Sequence, residues 1–301
     1  MALAYLVNSG VVLNELKLAD LFASQIITIS TDQIILTQPG LVPQDAGRLS
    51  NERITAATVF VDHFSSYSYV VVMASTTGEE TLRAKQEFEA HATSLRIRVS
   101  HYHADNGHFK EPIFMDDVQL NAQTISFCGV NAHHQNGIIE RHTLTDSARM
   151  MLLHAEWLWP EAVTQILWPF ALKYTQHLHN YLSLDTIAKC PFHQFSNADA
   201  SILDELDMAD FHTFGSPSCY VLDSATHNPK WDPRSSLCIF VGFSPDHARN
   251  VAMVLNPYYT GLVSTQYHIV FDDHFQTLKA LRDTTVPDSW TTLYRLNSTL
   301  S

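Results

Sequence analysis

Residues 97–107 read IRVSHYHADNG. The first half alternates apolar and polar residues, and an Asp-Asn-Gly cluster closes it. The stretch therefore predicts a strand ending at Asp105 in a turn. A side chain at such a strand end projects over the sheet edge, where a carboxylate can meet a ligand. An aspartate at Asp-Asn-Gly can also simply cap its own backbone. His101 and His103 share one face of the strand.

Upstream, SQIITISTDQIIL (24–36) predicts a first strand, broken by Pro39-Gly40. AATVFVDHF and SYSYVVVMA predict two more around a turn at Ser65-Ser66. Thr77 with Glu80 forms a capping box, and Ala84, Phe88, His91 and Leu95 follow at helical spacing. Downstream come a short helix over 112–121, a short strand TISFC and a helix from Asn136 to about His154. Another helix is expected to open at Trp157-Leu158-Trp159-Pro160. The order β-β-β-α-β-α-β-α-α predicts a mixed sheet flanked by helices.

From Phe211 the pattern changes. CYVLD, SLCIFVGFS, VAMVLNP and VSTQYHIVFDD are short strands separated by turn residues, which predicts a second, small all-β domain. Residues 191–210 are acidic over most of their length and predict a linker.

The chain has 301 residues, 46% of them hydrophobic, with a formal net charge of −13. That charge argues against a general polyanion binder but leaves room for a nucleic-acid enzyme whose carboxylates hold metal. Four scattered cysteines without C-x-x-C spacing predict reduced thiols of an intracellular protein. No segment reads as a membrane span.

Three acids stand at element ends. Asp32 lies in or at the end of the first strand, Asp105 closes the later one, and Glu140 follows the Gln-Asn-Gly break of NAHHQNGIIER (131–141). Glu140 shares a helical face with Leu144, Ala148, Met151 and Leu152, a stripe that should be buried. Asp62 in FVDHF competes with Asp32. Carboxylates converging from separate elements can hold two divalent cations about 4 Å apart, and hard oxygen donors suit Mg²⁺ or Mn²⁺. Dinucleotide, P-loop, serine-hydrolase and zinc-protease motifs are absent. The 17 histidines lack zinc-site spacing, so no zinc is expected in this chain.

ADNGHF, ISFCGVNAHHQNGIIER and ARMMLLHAEWLWPEAV resemble the integrase core of Ty1/copia-type retrotransposon polyproteins. FHTFGSPSCYVLD, PKWDPRSSLCIFVGFS and STQYHIVFDD are similar to the SH3-like segment that follows that core. The resemblance implies an RNase H-like fold over 25–190, after an N-terminal remnant (1–24). An SH3-like domain over 211–278 and a tail over 279–301 would follow. It implies a D-D-E triad of Asp32, Asp105 and Glu140, with Asp32 preferred to Asp62. Gln135, Asn136 and Arg141 would then contact DNA.

It also implies two Mg²⁺ or Mn²⁺ ions, element-end and target DNA as partners, self-association, and integration in the nucleus after a cytoplasmic stage. The chain departs from the family in several places. Between Asp105 and Glu140 stand 34 residues (140 − 105 − 1), one fewer than usual. NAHH replaces the usual loop, and Leu144 and Ser147 stand where a DNA-gripping lysine is expected. The upstream zinc module and downstream reverse transcriptase are not in the sequence, which predicts a polyprotein fragment.

Overall fold

Apolar residues in the first half of the chain recur at the strand period and, between Thr77 and Leu95, at the helix period. They fold as a sheet with helices laid against it. The structure, a computed structural model, describes residues 25–42, 53–129, 144–182, 190–196, 210–221 and 235–278, apart from 249 and 259. Two compact units are present. The first takes Met1–Gly40, Glu52–Asp146 and Thr175–Leu206, and the second takes Leu41–Asn51, Ser147–Tyr174 and Asp207–Ser301.

In the first unit lie β1 (Gln25–Gly40), β2 (Ile54–Asp62), β3 (Ser68–Met73), α1 (Gly78–Ser94), β4 (Ile97–Ala104), α2 (Pro112–Leu120) and β5 (Thr124–Phe127). The strand order is β3-β2-β1-β4-β5. The pairings β1–β2 and β2–β3 are antiparallel, whereas β1–β4 and β4–β5 are parallel. This mixed sheet with its helices is the RNase H-like fold.

β1 is longer than its sequence pattern predicts, running through Pro39-Gly40. Pro39 is tolerated because the β1–β2 register breaks between Ile35 and Gly40, so no regular ladder bond is required of it.

One sheet face packs on α1. Thr77 caps this helix by accepting the Glu80 N–H, and Thr81, Ala84, Phe88 and Ala92 are buried along it. Phe60 of β2 stacks on Phe88 with ring centroids 4.7 Å apart. Lys85, fully buried, is neutralised by Glu89 and by Asp117 of α2, which ties the two helices together. The short α5 (Pro191–Ser196) falls in the stretch expected as linker, yet its Phe195 is fully buried and stacks on Tyr67.

The second unit contains most of α3 (Leu144–Leu158), the first half of α4 (Trp168–Leu182) and five strands: β6 (Pro217–Val221), β7 (Ser235–Phe243), β8 (Ala252–Leu255), β9 (Val263–Gln266) and β10 (Ile269–Phe271). They form an antiparallel sheet in the order β10-β6-β7-β8-β9. VSTQYHIVFDD thus makes two strands rather than one.

Leu144, Ala148 and Leu152 of α3 are buried, the stripe expected from their spacing. The helix runs past His154, and no new helix opens at Trp157. The Trp159 N–H still donates to the Ala155 carbonyl, so Trp157–Pro160 closes α3, and the next α-helix begins at Trp168.

At Gly215 the backbone has φ +76°, and a Cβ there would collide with Ala155. Residues 1–24, 279–301 and most of the expected acidic linker lie outside the described residues.

Candidate active site

The two central strands, β1 and β4, lie parallel, so side chains from distant parts of the chain line up in rows across them. Before the middle of the pair, Ile27 matches Val99. After it, Thr28 matches His101, Ile29 Tyr102, Ser30 His103 and Thr31 Ala104. Ser100 is the extra residue of this β-bulge, and its hydroxyl donates to the Ile27 carbonyl at 3.1 Å. The next position beyond Thr31 is Asp32, and the next beyond Ala104 is Asp105. Each acid thus directly follows a member of the last matched pair.

They share the sheet face opposite α1, because the alternating neighbours Ile29, Tyr102 and Ala104 belong to the core cluster that also holds Phe88. Both acids are half-buried. Each is oriented the same way locally: Asp32 Oδ1 accepts the Gln33 N–H and Asp105 Oδ1 the Asn106 N–H, both at 2.7 Å.

Asp62 has a different position. It pairs across the sheet with Ile29, three residues from Asp32, and so takes the other face. It is 1% exposed, and its Oδ2 accepts the Ser65 N–H and hydroxyl at 2.8 and 2.7 Å, which fixes the β2–β3 turn. Its Oδ1 meets no donor among the described residues.

Gln135, Asn136, Glu140 and Arg141 lie outside the described residues. Among the described residues no group of three His, Cys, Asp or Glu side chains is arranged to hold a metal. Asp32 and Asp105 supply hard oxygen donors, which fit Mg²⁺ or Mn²⁺ in kind.

Sequence reasoning missed what surrounds the acids on this face. Thr28, Ser30, His63, His101, His103, Thr124 and Ser126 form a polar strip. His63 Nε2 lies 2.7 Å from the Ser30 hydroxyl. Ser126 Oγ bridges His101 Nε2 and His103 Nδ1 at 2.8 Å each, while Thr124 Oγ1 lies 2.7 Å from His101 Nδ1.

Burial lowers the pKa of His63; Asp62 pulls it upward, and the neighbouring His103 and His101 push it down again by less each. Burial, then His103, lowers His101 as well. Both imidazoles are therefore neutral at pH 7, and they add no cationic charge beside the acids. The alternation of His101 and His103 was visible in the sequence, but Ser30, His63 and Ser126 join them only through pairing.

No protein-family model matches this chain, and no curated protein matches it. Solved structures do. The catalytic core domain of HTLV-2 integrase in complex with magnesium (trimeric form) is 16% identical, covers 57% of this chain and 97% of its own, and has a TM-score of 0.39. An integrase catalytic core domain from BIV gives 16%, 58%, 97% and 0.40. A simian T-cell lymphotropic virus intasome bound to PP2A regulatory subunit B56 gamma gives 14%, 82%, 79% and 0.44. These neighbours are integrases, and the fold assignment itself rests on the strand order and register above.

Proposed function

We propose that this chain is the catalytic core of a Ty1/copia-type retrotransposon integrase, which hydrolyses and transfers DNA phosphodiesters. The observation that supports this reading is the register of the central parallel strands, whose last matched pair, Thr31 and Ala104, is followed by Asp32 and Asp105. Asp32, Asp105 and Glu140 hold Mg²⁺ or Mn²⁺. Such ions, when bound, activate a water or a 3′-hydroxyl and stabilise the leaving oxygen. Gln135, Asn136 and Arg141 contact DNA beside the acids.

The chain's own contribution is positional. Paired carboxylates repel one another without a cation, so rigid strands must hold them together until a cation relieves the repulsion. The all-β unit is assigned as the SH3-like domain. The partners are element-end and target DNA and further copies of the chain, and the reaction takes place in the nucleus.

One observation favours a second reading, a catalytically inert polyprotein fragment. The chain has only 18 Lys and Arg against 31 Asp and Glu, and neutral histidines line the site. Few cations are available to displace counterions from DNA.

The test is cleavage of a labelled DNA end with Mn²⁺ by the wild type, Glu140→Gln and Asp105→Asn. The wild type is expected to cleave and both variants to fall to background. Equal cleavage by all three would sink the triad. No cleavage by the wild type, with no metal-dependent rise in melting temperature, would establish the inert reading.

A further inference from the structure

Asn106 follows Asp105 and is half-buried. Its backbone N–H donates to Asp105 Oδ1 at 2.7 Å, and its side-chain Nδ2 donates to the Cys128 carbonyl at 2.6 Å. Cys128 is in turn held by its own N–H, which donates to the Ala104 carbonyl at 3.0 Å. The residue after β5 is thus clamped at both its backbone groups to the residues flanking Asp105. A turn aspartate needs only its own backbone bond. The side-chain bond to Cys128 is additional, and it spans 22 residues of sequence.

Gly107 has φ −75°, and a Cβ there would meet nothing within 4 Å. Asn106 supplies a fixed point for the turn.

We infer that Asn106 is a positioning residue of the metal centre: by bonding Cys128 it fixes the turn that carries the Asp105 carboxylate to the end of β5. The inference rests on the integrase reading above. The Asn106 amide makes no claim on the metal. It acts by removing freedom from a ligand that already has the right identity, as outer partners of metal ligands do.

The experiment measures Mn²⁺ titrations of the full chain by melting temperature and by DNA-end cleavage, for the wild type, Asn106→Ala and Asp105→Asn. Asn106→Ala is expected to need about 10- to 100-fold more Mn²⁺ for half-saturation in both readouts, with its metal-free melting temperature nearly unchanged. A merely structural Asn106 would lower the metal-free melting temperature and leave the Mn²⁺ midpoint in place, and that result overturns the inference. Should Asn106→Ala fail to fold, Asn106→Ser is read the same way, because serine can serve the turn but cannot reach Cys128.

Loss of the metal response in Asp105→Asn, with a wild-type midpoint in Asn106→Ala, refutes the inference while leaving the site reading intact. A wild type without any metal response removes both.

Discussion

Two pairs of acids, one in each unit, differ in their hydrogen-bond partners. In the second unit Asp273 is saturated by structural partners: Oδ1 accepts the Thr213 N–H at 2.6 Å and Oδ2 lies 3.0 Å from His212 Nδ1. Asp272 beside it accepts the Thr277 N–H at 2.6 Å. Burial alone would raise the Asp272 pKa, but bonds from the Thr277, Gln276 and His274 backbone outweigh it and hold the carboxyl below its usual range.

In the first unit Asp32 and Asp105 follow the matched pair Thr31 and Ala104, each with one oxygen fixed on the next residue's amide. The difference is one of hydrogen-bond partners: long-range for Asp273, the adjacent amide for Asp32 and Asp105. Asp272 and Asp273 finish backbone hydrogen bonding across a turn and between distant segments, whereas Asp32 and Asp105 each accept only from the next residue's amide among the bonds described.

The largest expected effect breaks this comparison directly. Asp32→Asn should reduce cleavage to background, while Asp273→Asn should leave cleavage alone and lower the stability of its unit by about 1 kcal/mol. Asp62→Asn should also keep cleavage, since its carboxylate serves the Ser65 turn. Assays of the three variants under one set of conditions decide it, and loss of activity in Asp62→Asn rather than Asp32→Asn would reverse the assignment.

Next in size is the core of the first unit. Phe60 is 1% exposed and stacked on Phe88, so Phe60→Ala should cost about 3–5 kcal/mol. All five tryptophans fall within the second unit, so indole fluorescence reports that unit, whereas circular dichroism reports both. Urea melts should show Phe60→Ala moving the dichroism transition and leaving the fluorescence midpoint in place. A common shift would mean that the two units unfold as one.

The reciprocal experiment is Gly215→Ala. Positive φ and the collision with Ala155 should together cost about 1–3 kcal/mol. Here the fluorescence midpoint should fall.

The smallest effect is a pH dependence confined to the first unit. His91 lies 2.8 Å from the Tyr67 hydroxyl, and burial holds its pKa below 6.5. The unfolded chain then binds the proton more readily than the folded one. The stability this contributes is complete above about pH 6.5 and is lost as the pH falls through the lower folded value. Melting temperatures at pH 7.5 and 5.5 should differ less in His91→Gln than in the wild type.

Much of the first sheet was legible because its strands are short runs of β-branched and aromatic residues between strong turn signals, and because Thr77 and Glu80 mark a helix start. The second unit's strands were legible for the same reason. The split of VSTQYHIVFDD was not, since Tyr267-His268 carries no turn residue. The end of α3 was misread because Trp157–Pro160 resembles a helix start, while the backbone bond from Trp159 to Ala155 that closes the helix has no signature in residue type.

Sequence by itself determined the residue types and the local elements: which stretches are strands, which faces are apolar, and that Asp105 follows the end of a strand, whereas Asp32 falls in the middle of the longer β1. It could not determine which acids share a face. Along β4 the buried residues are Ile97, Val99, Tyr102 and Ala104, so the alternation changes step between Val99 and Tyr102. That change is the Ser100 bulge. Without it Asp32 would pair with Ala104, and Asp105 would pass to the other side of the sheet. Only tertiary structure decided this, because a bulge is stabilised by the neighbouring strand, here through the Ser100 hydroxyl on the Ile27 carbonyl. A one-residue slip in a period of two exchanges the faces of everything that follows it.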